Sequence, residues 1–281
     1  RAVVYSVRPR PVFMMPAAHG FSAADWQYLT GSLQLVHAAR LDRPTLSVAD
    51  FTHPARCRQL LDQLGPVIGA PSRRVTASLL SKRLAFLITG ASFYALSACD
   101  RSLDISADNC RIDPSHYGTR WTSCLPLHRL DAQALPSNQR DRARSVLVGQ
   151  VFAGLIAPLW AVLHQVSGVP MRMLWENTAV RVYSLYERRM VDFTEPAAIA
   201  RRDADWRFLI DAPPALFGGS VNPLARFLYA PTRRADGETV RFRRTCCLYF
   251  KATQPPIYCR TCPLLTVAEK KGPERITAKQ R

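Results

Sequence analysis

Four cysteines near the C-terminal end are the residues of this chain best suited to chemistry. Cys246 and Cys247 are adjacent, and eleven residues separate them from the turn Cys259-Arg260-Thr261-Cys262. A C-x-x-C turn brings two thiolates close enough to bind one metal centre, so four cysteines in this short span predict a metal site with four sulfur ligands. Thiolate ligands of this kind select zinc or an iron–sulfur cluster.

The adjacent pair Cys246-Cys247 helps to distinguish zinc from iron–sulfur. Structural zinc sites space their paired cysteines by two to four residues, so that both sulfurs turn towards one ion. Neighbouring residues of an extended chain instead point to opposite sides. A two-iron cluster is a wider object and accommodates sulfurs that diverge in this way. The spacing therefore favours an iron–sulfur cluster, and zinc stays open as an alternative.

The remaining cysteines and the histidines show no comparable spacing. Four cysteines lie among apolar or mixed neighbours, and we expect small buried side chains at Cys57, Cys99, Cys110 and Cys124. The histidines follow no ligand pattern, so none is nominated as catalytic among His19, His37, His53, His116, His128 and His164. No signal peptide is visible, and a secreted disulfide framework is not expected.

Three segments together resemble a known family. Residues 243–249 (RRTCCLY), followed by 259–263 (CRTCP), resemble the C-terminal motif of the FhuF-type ferric-siderophore reductases. Upstream, residues 174–178 (LWENT) are similar to the Trp-x-Asn segment of that family, and residues 222–224 (NPL) match a further family segment. We expect ten residues between the cysteine pairs of this family. The eleventh falls within 251–258, where a loop can absorb it.

The resemblance implies an enzyme, a cytoplasmic ferric-siderophore reductase that transfers one electron and releases Fe²⁺. It implies one [2Fe–2S] cluster per chain, held by Cys246, Cys247, Cys259 and Cys262. The expected partners are a ferric siderophore and an electron donor such as a ferredoxin or a flavin reductase. Hard oxygen donors hold Fe³⁺ more tightly than Fe²⁺, so one electron labilises the iron without an acid, a base or a nucleophile. No Gly-rich phosphate loop is present, so ATP is not expected as a substrate.

Arginines flank the cysteines and predict control of the reduction potential. Arg243 and Arg244 precede Cys246, and Arg260 lies inside the C-x-x-C turn. Reduction adds negative charge to a thiolate-bound cluster, so a nearby cation stabilises the reduced state more than the oxidised one. Arg243 and Arg244 would face opposite sides of an extended segment, so at most one of them is expected to lie close to the cluster.

The strong positive charge limits the classes of partner. The formal net charge is +17 and the sequence pI is about 10.1. The arginines are spread along the chain without clustered aromatics, and no zinc-finger, basic-zipper or RNP motif accompanies them, which argues against nucleic acid. The charge favours an anionic iron chelate or an acidic electron-transfer protein, and leaves loose contact with the inner membrane surface open. Two alternative functions also stay open, a [2Fe–2S] redox sensor and a zinc-stabilised binding module.

The elements that must position the cysteines predict an α+β fold, with a predominantly helical body and a few strands. We expect an N-terminal extension over 1–54, a helical body over 55–240, a cysteine segment over 241–265 and a disordered tail over 266–281. Expected helices cover 22–39, 54–64, 75–97, 137–168 and 177–190. One or two strands are expected within 104–136, and a β-hairpin should pair 226–229 with 239–242 just before Cys246. The uncharged stretch 145–165 has one apolar stripe and is predicted to be a buried core helix.

Overall fold

The computed structural model describes residues 18–118 and 120–265, which form a predominantly helical body with small sheets. The predicted α+β class is confirmed. The helices in these residues are α1 Ala23–Gln27, α2 Val48–Thr52, α3 Pro54–Val67, α4 Arg73–Ser97, α5 Arg140–Gly149, α6 Ala157–Ser167, α7 Met171–Ser184, α8 Pro196–Asp211 and α9 Pro223–Arg226.

Helix α4 lies at the centre of the body. The side chain of Ser72 caps its first turn by accepting a hydrogen bond from the Val75 N–H. From Val75 onwards nearly every residue is buried, because α4 packs along α7 and also contacts α3, α6 and α8. Because α4 is buried on several sides, nearly all of its surface is apolar.

A second long helix runs over Ser137–Ser167 and combines α5, a π-helical segment at Gln150–Ile156 and α6. It ends at Gly168, whose φ of 66° gives the left-handed cap that favours glycine. By length and composition, this helix and α4 could each cross a membrane. However, 56% and 83% of their respective apolar windows are buried inside the protein. The stretch 145–165 is thus part of a core helix, as predicted.

The strands are short and pair in twos. They are β1 Leu35–His37, β2 Leu46–Ser47, β3 Arg101–Ser102, β4 Arg111–Ile112, β5 His116–Tyr117, β6 Arg120–Trp121, β7 Leu125–Leu127, β8 Gln133–Ala134, β9 Thr232–Arg233 and β10 Thr239–Val240. β1 pairs with β7 in parallel, and the other pairs, β2–β4, β3–β8, β5–β6 and β9–β10, are antiparallel. The expectation of only one or two strands within 104–136 was wrong, because several strands there pair with distant partners.

Three further expectations are corrected. The helix predicted over 22–39 ends in a π-helical turn at Tyr28–Ser32, because Gln34 turns the chain with a φ of 62° into β1. The helix predicted to start at 177 begins at Met171, behind Pro170. The hairpin forms between β9 and β10 rather than from 226–229, where α9 ends instead.

The described part of the N-terminal region packs into the same core as the helical body. Phe21, Leu29, Leu33 and Phe51 are all buried there. The domain boundaries at 54/55, 240/241 and 265/266 stay predictions. The first 17 residues and the predicted disordered tail, 266–281, lie outside the described residues.

Candidate metal centre

The four cysteines of the C-terminal segment come together as two pairs of sulfur atoms. The Sγ atoms of Cys246 and Cys262 are 3.9 Å apart, and those of Cys247 and Cys259 are 3.8 Å apart. The C-x-x-C turn is closed by a 2.9 Å hydrogen bond from the Cys262 N–H to the Cys259 carbonyl. Each cysteine of the adjacent pair thus meets a different cysteine of the turn.

These sulfur distances match bidentate binding of metal by each pair. Two thiolates on one tetrahedral metal, with bonds of about 2.3 Å, lie roughly 3.8 Å apart. A single zinc site would need all four sulfurs to converge on one point. Within 18–118 and 120–265, no three histidine, cysteine, aspartate or glutamate side chains form one group able to hold a metal ion. Each of the two pairs could hold one metal through two thiolates, as in a [2Fe–2S] cluster.

Exposure and charge differ between the sulfurs. Cys247 and Cys262 are buried, whereas Cys246 and Cys259 are partly exposed. The Lys82 ammonium lies 3.6 Å from the Cys247 Sγ. The hydrogen bond between the Cys247 and Cys259 sulfurs, followed by the positive charges of Lys82 and Arg243, lowers the pKa of Cys247, and the same bond raises the pKa of Cys259. These neighbours stabilise negative charge on sulfur, which a metal-binding thiolate requires.

A buried carboxylate on α7 holds the chain just before the cysteines. Glu176 is 1% exposed, and its two oxygens accept 2.7 Å hydrogen bonds from the Arg244 and Thr245 N–H groups. The Thr245 hydroxyl donates to the same carboxylate, and the Arg243 Nε lies 3.9 Å from it. Charge-assisted bonds of this type are stronger than neutral ones, so Glu176 fixes the backbone that presents Cys246 and Cys247.

The next residue, Asn177, links the cysteine segment to α4. Its side-chain NH₂ donates to the Ser78 carbonyl and to the Ser81 hydroxyl, at 3.0 Å each. Its oxygen accepts a 2.6 Å hydrogen bond from the Arg243 guanidinium. The Ser78 hydroxyl in turn donates to the Cys247 carbonyl at 2.9 Å. Ser78 and Lys82 are four residues apart and therefore share the helix face that meets the cysteines.

The third segment that resembles the family, residues 222–224, connects two helices upstream of the cysteines. The Asn222 NH₂ donates to the carbonyls of Leu209, Ile210 and Ala212, which end α8, at 3.0 Å each. Its oxygen accepts from the Leu224 and Ala225 N–H groups and caps α9. Asn222 thus joins the end of α8 to the start of α9, upstream of the β9–β10 hairpin and the cysteines.

The three arginines singled out from the sequence lie in different surroundings. Arg243 is 3% exposed and contacts Asn177. Arg244 is exposed and stacks over the Tyr229 ring at 4.3 Å, and Arg260 forms an ion pair with Glu238. Lys82, which was not among the predicted site residues, instead brings its ammonium to 3.6 Å from the Cys247 sulfur. No local motif marks it, because only the packing of α4 brings it to the cysteines.

The other four cysteines lie away from these two sulfur pairs. Cys57, Cys110 and Cys124 are buried and Cys99 is partly buried, and none is disulfide-bonded. Burial is the main cause that raises the pKa of Cys57, Cys110 and Cys124 to about 12. These thiols therefore stay protonated and poorly reactive at neutral pH.

Comparison with known proteins identifies the helical body. The family model described as "Ferric iron reductase FhuF-like transporter" matches residues 78–237. The matched stretch contains Lys82, Glu176, Asn177 and Asn222, and it ends before Cys246. No curated protein sequence matches the chain. Since the match covers more than half of the chain, the suspected family is confirmed, and the protein belongs to the FhuF-like ferric iron reductase family.

Proposed function

We propose that this protein is a ferric-siderophore reductase that binds one [2Fe–2S] cluster through Cys246, Cys247, Cys259 and Cys262. The observation that carries the proposal is the arrangement of the sulfurs in two pairs, at 3.9 and 3.8 Å. Family membership supports ferric iron reduction in general. The bound cluster would supply the ability to take up and release single electrons.

The chain's own residues have three tasks in this reaction. Glu176 and Asn177 hold the cysteine segment against α7 and α4, so the sulfurs keep their spacing. Lys82 and the buried Arg243 provide positive charge that favours a more negative, reduced site. Partial exposure of Cys246 and Cys259 keeps the site within reach of the surface, where electrons can enter and leave.

The overall reaction balances with one external reductant. A donor such as a ferredoxin or a flavin reductase gives one electron to the protein, and the reduced protein gives one electron to the chelated Fe³⁺. The products are Fe²⁺, which its hard oxygen ligands hold weakly, and the oxidised protein. No ATP is consumed. We propose that the reaction takes place in the cytoplasm, where reducing conditions keep cysteine thiolates available.

Reoxidation by ferric siderophores tests this function. Protein reduced with dithionite, then freed of excess dithionite, is mixed anaerobically with a ferric siderophore and a ferrous chelator. We expect the visible spectrum to return to that of the oxidised protein as the Fe²⁺ complex forms in equal amount. The matched variants Cys247→Ser and Cys124→Ser should lose and keep this activity, respectively.

The reductase proposal would be overturned if the reduced protein reduced none of the hydroxamate, catecholate and carboxylate chelates. Each chelate must have a reduction potential high enough for the protein to reduce it. A protein that contains the cluster but does not reduce these chelates would favour the redox sensor. A protein that contains one zinc instead of iron would favour the zinc-stabilised binding module.

A further inference from the structure

A cleft of about 860 Å³ lies directly beside the cysteine site. Its walls come from the end of α3, from α4, from α7 and the turn that follows it, and from the loop between the two cysteine pairs. Lys82 lines this cleft and also lies 3.6 Å from the Cys247 Sγ. The volume falls within the range of about 300–1,000 Å³ that is usual for small-molecule sites. A ligand in this cleft would therefore meet the side chain that contacts the Cys247 sulfur.

The walls of the cleft concentrate positive charge. Its cationic side chains are Lys82, Arg83, Arg181 and Arg189, and the described residues that line it include no carboxylate. Three of these guanidinium groups surround one ring, Phe86, at 5.3, 5.8 and 5.1 Å from its centroid. Like charges gathered around one ring repel one another, and a bound anion would offset that repulsion.

Little negative charge faces these three guanidinium groups within the described part of the protein: Asp113 and Cys124 act on Arg83 without bonding to it, and Cys247 acts on Arg181 in the same way. Among the described residues, no carboxylate forms an ion pair with Arg83, Arg181 or Arg189, although twelve arginine–carboxylate pairs exist elsewhere. Arg83 instead donates to Ser123, and Arg181 donates to the Lys82 carbonyl. Burial, and after it the charge of Arg243, lowers the pKa of Arg181 to about 10, although Cys247 acts in the opposite direction.

Aromatic rings complete the walls. Phe86, Trp121 and Tyr249 all line the cleft, and the Lys82 ammonium lies 5.8 Å from the Tyr249 centroid. Flat ligand rings can pack on such faces, while oxygen anions carried by those rings meet the guanidinium groups. A recessed cleft of this size suits a small chelate. An acidic electron-transfer protein would instead need a flat contact of roughly 800 Å² per partner.

We infer that this cleft binds the ferric chelate and selects complexes that combine net negative charge with aromatic oxygen donors, as in tris-catecholates, over uncharged hydroxamates. The inference rests on the proposed function, because a ferric chelate is the substrate proposed there. The chelate would replace none of the cysteine ligands, and Lys82 would lie between the anionic oxygens of the chelate and Cys247.

Binding of gallium(III) complexes tests the selection apart from electron transfer, because Ga³⁺ resembles Fe³⁺ in its ligands but accepts no electron here. The full-length, cluster-loaded protein is titrated with a triply negative gallium tris-catecholate and with an uncharged gallium trihydroxamate, by calorimetry. Tighter binding of the catecholate is expected, with a Kd at least roughly tenfold lower than that of the trihydroxamate.

Two neighbouring exposed arginines provide the matched variants. Arg189 lines the cleft, whereas Arg188 lines only the neighbouring one, which shares Lys82 and Arg181 with it. Neither Arg188 nor Arg189 makes a hydrogen bond or ion pair among the described residues. Arg189→Gln should raise the Kd of the tris-catecholate by about five- to tenfold, and Arg188→Gln by less than about twofold. Neither change should alter binding of the trihydroxamate appreciably.

Equal affinities for the two gallium complexes, or equal losses in the two variants, would overturn the inference. So would a result in which neither complex binds and Arg189→Gln instead weakens binding of an acidic ferredoxin. Iron and sulfide content, measured on the same samples, reports on the proposed function separately. A loaded, active reductase without the charge preference would refute the selection alone, whereas a cluster-free protein would refute the proposed function.

Discussion

The contact between Lys82 and Cys247 predicts how the protein sets its reduction potential. The Lys82 Nζ lies 3.6 Å from the sulfur, which puts it roughly 6 Å from the centre of a cluster bound there. Reduction adds one negative charge to that cluster, so the ammonium stabilises the reduced form. Replacement by glutamine removes the charge, and the potential should therefore fall.

The size of this fall follows from Coulomb's law. At an effective dielectric of about 20, one charge at roughly 6 Å contributes about 3 kcal/mol. Lys82 is partly exposed, and solvent screening reduces this to about half. With about 59 mV for each tenfold change of a one-electron equilibrium, Lys82→Gln should lower the potential by about 60 mV.

Protein-film voltammetry on the cluster-loaded variants measures the shift, and the visible spectrum checks that loading is unchanged. Arg244→Gln is the matched control, because Arg244 precedes the cysteines in sequence but stacks over Tyr229. We expect its potential within about 10 mV of the parent. A fully loaded Lys82→Gln protein with the parent's potential, or a larger shift in Arg244→Gln than in Lys82→Gln, would refute this reasoning.

Other predictions concern the support and composition of the site. Glu176→Gln should lower the free energy of unfolding by about 3 kcal/mol in urea titrations and impair iron loading, because the amide NH₂ would face backbone N–H donors. Glu187→Gln, which loses only one partly exposed ion pair with Arg241, should cost less than about 1 kcal/mol, and equal effects would contradict the assignment. Serine substitution should abolish the visible spectrum at any of Cys246, Cys247, Cys259 and Cys262, and should leave it intact at Cys57, Cys99, Cys110 and Cys124. A spectrum lost in Cys124→Ser but kept in Cys247→Ser would rule out this set of ligands.

The sequence predicted the elements whose signals are local. Pro54 opens α3, the helix expected from 75 forms as α4, and the long core helix ends where Gly168 permits a left-handed turn. The hairpin that precedes the cysteines was also expected, although its strands are two residues each and the first begins later, at Thr232. The grouping of the four cysteines could likewise be inferred from their spacing, and the family of the helical body from the resemblance of three segments to that family.

The polar residues of α7 show why other features could not be predicted. Asn177 and Thr178 resemble helix caps in the sequence, but both are fully buried inside α7. Asn177 bonds to α4 and Arg243, and Thr178 accepts a 3.0 Å hydrogen bond from the Trp160 indole. Their partners are distant in sequence, so an interpretation based on neighbouring residues assigned the wrong role. Lys82 and the cationic cleft were missed for the same reason.

The metal content of protein purified anaerobically is the most direct test of the proposed cluster. Iron, acid-labile sulfide and zinc are measured per chain on the same sample, together with the visible absorption spectrum. The paired sulfurs, 3.9 and 3.8 Å apart, predict a red-brown protein with about two irons and two sulfides per chain. A colourless protein with about one zinc per chain and no sulfide would contradict the proposed cluster and the reductase function built on it.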